Sequence, residues 1–428
     1  MQSLRDDLQL IVQTQLTATE YVCEGFTGLP ILCPGFVAIV AADSMSALAS
    51  AEALRLEIGR IVQSTLGGVA QKAMPCGGRS STPFGCHAHR VASCQKVLVI
   101  VGDSITSIPE DEVIKKWLAG DKTYHVLPLF PVGGDPSSLL PARLRKINAG
   151  VWSKSLVEIV PRVLSLVGLL PEDFRIFISY RRKETRRLAD QLFDKLAEER
   201  FDVFLDRFRV PPGVNFQKHL TEELAHKSMV VVIESATILK SDWIRYEINA
   251  AKTLRLGLLA LHAPGGVQVP GVDDAQRIRV SRRDFTSRVL KQDALTRVVQ
   301  AIKVAHSAAL IRRRRSIRKA MRKALLKFGV TGQVVGPEGI MMARSPAPPS
   351  KHYSLHLTTR PPDLGDFHVT HRTCSAPPSS TGIIVGPSAF LGNPLYGQLT
   401  WLGNVSSIKW FDEGQMVHVA EAIAKGTL

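Results

Sequence analysis

The sequence predicts an α/β fold, an open parallel sheet flanked by helices, and three observations carry that reading. Short β-branched runs alternate with helix-period segments of about ten residues between residues 174 and 261, the pattern of βα units. The first of these runs stops abruptly at polar and basic residues, as a strand does where its carboxyl end opens on a ligand crevice. Much of the same pattern also occurs 131 residues earlier in the chain.

A chain of 428 residues is too long for one ordinary core and predicts two or three domains. No apolar run approaches the roughly 18 residues needed to cross a bilayer; the longest, residues 29–42, is interrupted by Pro30 and Pro34. No basic segment, apolar core and small-residue cleavage site open the sequence, so the expected location is cytoplasmic. Six cysteines in this length make no disulfide framework. Cys76, Cys86, His87, His89 and Cys94 raise a metal question, but their spacing fits no familiar zinc pattern, and free thiols in a loop are expected.

In chain order, residues 1–29 read as a helical lead-in with Leu4, Leu8 and Ile11 on one face. Residues 35–41 form a strand and residues 44–63 a long helix. Residues 96–102 and 125–131 are further strands, 147–152 is a short last strand, and 157–169 is a closing helix. Shifted by 131 residues, the segment from Val99 to Ser104 lands on Val230 to Ser235, Val126 on Gly257 and Ile147 on Ile278. Residues 30–170 are therefore expected to be a diverged copy of the unit at 171–306. Its first strand ends in Ala41, Ala42 and Asp43, and Glu247 and Trp243 fall on Lys116 and Glu112, so it lacks the same chemistry.

In the second unit, Ser179, Tyr180, Arg181 and Arg182 leave the first strand at 174–179. A helix over 188–198 and a strand over 201–206 follow, and then the loop 206–216 with Pro211, Pro212 and Gly213. The β-branched run 229–234 ends at Glu234 and Ser235. The next helix carries Trp243 and Glu247 at i and i+4, on one face. Guanidinium groups, aromatic rings and one carboxylate at a single sheet edge suit a ligand with phosphates, flat rings and a developing positive charge. Nicotinamide dinucleotide meets that description: its nicotinamide–ribose bond breaks through an oxocarbenium-like state that a fixed carboxylate stabilises.

The segment Phe177 to Arg182, the loop with Gly213 followed by Phe216, and the motif Ser241-x-Trp243-x-x-x-Glu247 together resemble the TIR domain, and in particular its NAD-cleaving branch. The resemblance covers about residues 172–305. It implies a flavodoxin-like parallel sheet of TIR type, in two tandem units of which the first is degenerate. It also implies that Glu247 is catalytic, with Ser179, Tyr180, Arg181, Arg182, Phe216, Ser235 and Trp243 contacting NAD+ as substrate. No separate cofactor or metal is implied. The expected activity is cleavage of NAD+ to nicotinamide and ADP-ribose or a cyclic product, by an immune or cell-death effector that acts when assembled. Many TIR domains instead act as adaptors through homotypic contacts, and that alternative stays open. So do plainer roles for single residues: Glu247 as a solvated helix carboxylate beside Arg245 or Lys252, Trp243 as a core anchor, and Arg181 and Arg182 as surface charges.

The net charge of +16 concentrates between residues 312 and 327, where nine Arg or Lys residues occur with no acid. Ile317, Met321, Ala324, Leu325 and Phe328 line one helical face, so residues 307–330 read as a basic amphipathic helix. Such a helix either keeps a solvated basic face while its apolar stripe packs on the neighbouring domain, or meets an anionic partner, whether nucleic acid, membrane or acidic protein. Residues 331–381, rich in Pro and Ser, read as a linker with a short strand at 353–357. Residues 382–428 read as a small segment with a helical end and no assigned role.

Overall fold

The computed structural model describes residues 8–17, 20–27, 35–65, 72–73, 79–80, 96–103, 115, 117–119, 124–140, 144–145, 147, 149–152, 156, 159–167, 174–205, 222–273, 276–335, 340–375, 380–387 and 393–428. It forms two units, residues 1–171 with 332–342, and residues 172–331 with 343–428.

In the first unit, β1 (Leu8–Thr17) and β2 (Glu20–Thr27) pair antiparallel. The lead-in is thus strand, not the expected helix. Ile11, Val12 and Thr14 are β-branched and resist the helix, while Gln13, Thr14 and Gln15 are buried polar residues that mimic a helical polar face. Gln15 earns its burial by accepting a hydrogen bond from the Ala41 amide at 3.0 Å. Leu4 lies outside the described residues. Next come β3 (Gly35–Ala41), α1 (Met45–Thr65), β4 (Lys96–Val101), β5 (Tyr124–Pro131), β6 (Gly150–Trp152) and α2 (Ile159–Leu166). Strands β1, β3, β4, β5 and β6 run parallel in that order. Phe36, Ala38, Leu98, Ile100 and Trp117 fill the core on one side of the sheet.

The second unit begins with β7 (Arg175–Ser179), α3 (Arg182–Glu198), β8 (Asp202–Phe204), β9 (Met229–Glu234), α4 (Asp242–Thr253), β10 (Gly257–His262) and β11 (Arg277–Arg279). The strand order is β8-β7-β9-β10-β11, all parallel. The run Met229–Glu234 is buried on both faces, as a central parallel strand must be. Leu188, Leu192 and Leu196 of α3 pack on one side of the sheet with Ile176 and Val231. Ile244, Ile248 and Ala251 of α4 pack on the other with Phe177, Val230 and Phe204. Each such Leu, Ile, Val or Phe side chain contributes about 1.5–3 kcal/mol on full burial.

The internal registers of the two sheets bear on the 131-residue offset. Leu98 pairs with Val126, and Met229 pairs with Gly257, so both central strand pairs hold the same 28-residue register. Ala38 stands where Ile176 stands, which puts Ala41, Ala42, Asp43 and Ser44 in the places of Ser179, Tyr180, Arg181 and Arg182. The last strands depart from the offset: Leu129 pairs with Gly150 but Ala260 with Arg277, so Ile278 corresponds to Val151 and not to Ile147. The neighbour of the first strand also differs, being β1, which precedes it in the chain, in one sheet and β8, which follows it, in the other. Lys116 and Glu112 lie outside the described residues, as do Cys76, Cys86, His87, His89 and Cys94.

The basic helix is the second half of α5 (Gln292–Lys327), so the boundary expected at 306/307 falls inside one helix. Its first half completes the preceding core with Leu295, Val298, Val299 and Ile302. Its second half buries Ile317, Met321, Ala324 and Leu325, and α5 packs against a later helix. By length and composition α5 is apolar enough to cross a membrane, but most of its apolar stretch is buried, as in a core helix. Arg313, Arg314 and Arg318 are buried as well, which the reading of a solvated basic face did not foresee.

Among the described residues, most of the stretch expected to be a linker and a small tail is regular structure. After β12 (Ile340–Arg344) come β13 (His352–Leu357), α6 (Leu364–Cys374), β14 (Thr381–Gly386), α7 (Asn393–Ser406), β15 (Lys409–Asp412) and α8 (Met416–Lys425), the helix that α5 meets. Strands β13, β14 and β15 are parallel, in that order. The prolines punctuate this lobe without unfolding it. Pro346, Pro348 and Pro349 lie between β12 and β13, and Pro361 and Pro362 precede Asp363, which caps α6 through a reciprocal bond with Asp366.

Candidate functional site

The carboxyl ends of β7 and β9 and the start of α4 meet at one edge of the second unit's first sheet. Ser179 ends β7, 1% exposed, and its hydroxyl donates to the Glu247 carboxylate. Glu247 sits on the buried face of α4 with Ile244, Ile248 and Ala251, because i, i+3, i+4 and i+7 share one side of a helix. At 7% exposed it is not a solvated surface carboxylate. Trp243, one turn earlier, is 45% exposed, so it is not a core anchor either. Ser235, directly after β9, and Tyr180, directly after β7, are both buried.

The two arginines separate. One Nη of Arg181 donates to the Thr237 carbonyl, which ties it to the loop after β9. Arg182 opens α3 and is exposed. Glu184 closes the ring by accepting from the Thr237 hydroxyl at 2.7 Å and the Thr237 amide at 3.1 Å. Burial pushes the Glu184 carboxyl up, but the Ser235 hydroxyl, the hydrogen bonds from Thr237 and the Arg181 charge outweigh it and hold the group below its ordinary value. Sequence reasoning missed Glu184; its place two residues after the Arg pair was the available signal. Phe216, with Asp206 and Gly213, lies outside the described residues.

Glu234 has a structural task. Fully buried, it accepts from the Val269 amide at 2.8 Å and from Arg277 Nε at 3.0 Å, and meets His262 Nδ1 at 2.7 Å. Gly266 lets the loop after β10 lie on this strand end, since a Cβ there would fall 2.3 Å from the Glu234 carbonyl. The strand exit is thereby fixed, and Ser235 with it. The arrangement sets one buried carboxylate, oriented by a serine hydroxyl, one helical turn from an exposed indole. Such a group stabilises positive charge developing on a ligand that reaches it, because little solvent screens it.

Residues 176–293 match the family model described as TIR domain. No curated protein matches the chain. TIR domains serve signalling or NAD cleavage, and commonly self-associate through homotypic contacts.

Proposed function

This chain is a TIR domain protein, and from that premise we propose that it is an NAD+ glycohydrolase with Glu247 as its catalytic carboxylate. The observation that carries the reading is the burial of Glu247 with its carboxylate oriented by Ser179. A helix carboxylate with only a solubilising role belongs in water, and burying one is costly unless it is hydrogen-bonded. Here the cost is met at the sheet edge where open α/β folds take their ligands.

In the proposed reaction NAD+ lies across the exits of β7 and β9. The exposed Trp243 offers a flat face to a ring, and Arg182 offers charge to the pyrophosphate. As the nicotinamide–ribose bond stretches, positive charge develops on the ribose and nicotinamide leaves with the bonding electron pair. The Glu247 carboxylate stabilises that charge. Water completes hydrolysis to ADP-ribose, or a nucleophile of the adenine closes a cyclic product; both share the first step. Assembly through TIR contacts completes the active state, and the setting is a cytoplasmic immune or cell-death response in which NAD+ is consumed.

The test is to incubate the purified full chain with NAD+ over a range of protein concentrations and to resolve products by chromatography. The reading expects nicotinamide release that rises more steeply than protein concentration. No release at any concentration, from protein shown to be assembled, favours the signalling adaptor instead.

A further inference from the structure

A second cluster of buried polar groups lies outside the TIR domain, at the carboxyl ends of β13, β14 and β15. Arg313 of α5 is 7% exposed. Its Nη2 donates to Glu413, the residue after β15, at 2.6 Å, while Nε and Nη1 are buried without a hydrogen-bond partner among the described residues. Thr358, the residue after β13, is 5% exposed, and its hydroxyl is also buried without a partner among the described residues. Its amide is tied to the Val385 carbonyl of β14 at 2.9 Å. The hydroxyl lies over Gly386 at the end of β14, where a Cβ would fall 2.0 Å from Thr358 Oγ1. The three strand exits thus present a guanidinium held from the β15 side, a hydroxyl on the β13 side and bare backbone between.

Adjacent strands lie about 4.8 Å apart, so the exits of β13 and β15 are separated by roughly 10 Å, the span of a small oxyanion with a hydrogen bond on either side. Two more arginines, Arg314 and Arg318, are buried on the same stretch of α5. Burial, and next the Arg314 charge, push the Arg318 guanidinium well below its ordinary value, so the stretch is rich in buried positive charge. Native proteins rarely leave buried donors unmade, and an unpaired pair of this kind marks a place for a missing acceptor. Open parallel sheets take ligands at this edge, and guanidinium groups favour phosphate oxygens.

We propose that the C-terminal lobe binds a small phosphate-bearing anion at the carboxyl ends of β13, β14 and β15, with Arg313 Nε and Nη1 donating to its oxygens and the Thr358 hydroxyl completing its shell. This site is separate from the proposed NAD+ site and independent of it: Arg313 and Thr358 lie outside residues 176–293. The free phosphate ion and the phosphate of a nucleotide share the recognised chemistry.

The experiment is calorimetric titration of the full chain with inorganic phosphate, with AMP and with ADP-ribose, in wild type, Thr358→Val and Arg313→Gln. Thr358→Val keeps the shape and removes only an unpaired buried hydroxyl, so its melting temperature without added anion should equal or exceed wild type. Its affinity for at least one probe should fall roughly tenfold, the worth of one hydrogen bond to a charged group. Arg313→Gln should bind that probe more weakly still. Saturable binding of inorganic phosphate alone assigns the free ion; stronger binding of AMP or ADP-ribose assigns a nucleotide. The proposal is overturned if no probe binds saturably to wild type, or if Thr358→Val, folded by its melting curve, binds every probe as wild type does.

Discussion

The Ser179 hydroxyl donates to the carboxylate of Glu247, 68 residues later in the chain. The bond joins the end of an inner strand to the second turn of α4, and it orients the carboxylate. In the other α/β unit the place of Ser179 is taken by Ala41, which has no hydroxyl to donate.

Removing that hydroxyl should impair chemistry without unfolding the domain. Ser179→Ala is expected to lower kcat for NAD+ cleavage about tenfold and to leave KM within about twofold, because a group held slightly out of place loses most in the transition state. Steady-state kinetics at fixed assembly state measures both. A variant with unchanged kcat would leave the serine a packing role only.

The Glu234 hub should matter to stability. Arg277→Ala strips a guanidinium from a fully buried carboxylate and is expected to cost about 3–5 kcal/mol in urea unfolding. Adding Glu234→Gln should restore part of the loss, since the stranded charge is then gone. Two independent, additive penalties would contradict the pairing.

Acid should weaken the second unit through His226. Burial first, then the Arg175 and Lys227 charges, hold its imidazole down at about 4 from an ordinary 6.5. The folded state therefore resists protonation that the unfolded state accepts. The contribution is present above pH 6.5 and is lost as pH falls toward 4, a change of about 2–3 kcal/mol between pH 7.5 and 4.5. His226→Gln should flatten stability against pH by about that amount, and an unaltered slope would rule His226 out as the source.

The cap of α6 offers a local test. Asp363 accepts from the Gly365 amide at 2.8 Å and from the Asp366 amide at 3.2 Å. Asp363→Ala should cost about 1 kcal/mol and raise hydrogen exchange in the first turn of α6. Protection there equal to wild type would show the cap to be dispensable.

The parts legible in the sequence were those where composition and burial agree. Met229–Glu234 is β-branched and buried on both faces, so it was read with its observed bounds, and α4 has its apolar residues at helical spacing, so it was read as a helix. The serine and glutamate of the candidate site were legible as a motif. Their contact was not, since it depends on how β7 and α4 pack. Elsewhere polar residues misled. Gln13 and Gln15 are buried in β1 and satisfied there, yet they read as the wet side of a helix. Arg313, Arg314 and Arg318 count as solvated charge in any composition, although the fold encloses them. Pro361 and Pro362 suggested a linker where they introduce a capped helix.

The most direct measurement is nicotinamide release from NAD+ by wild type and by Glu247→Gln, at equal concentration and equal assembly state. Glutamine keeps the size and the hydrogen bond to Ser179 but removes the charge. The account predicts that release falls at least about a hundredfold in the variant, as loss of a charge that stabilises the transition state requires. Turnover in Glu247→Gln equal to wild type would contradict it.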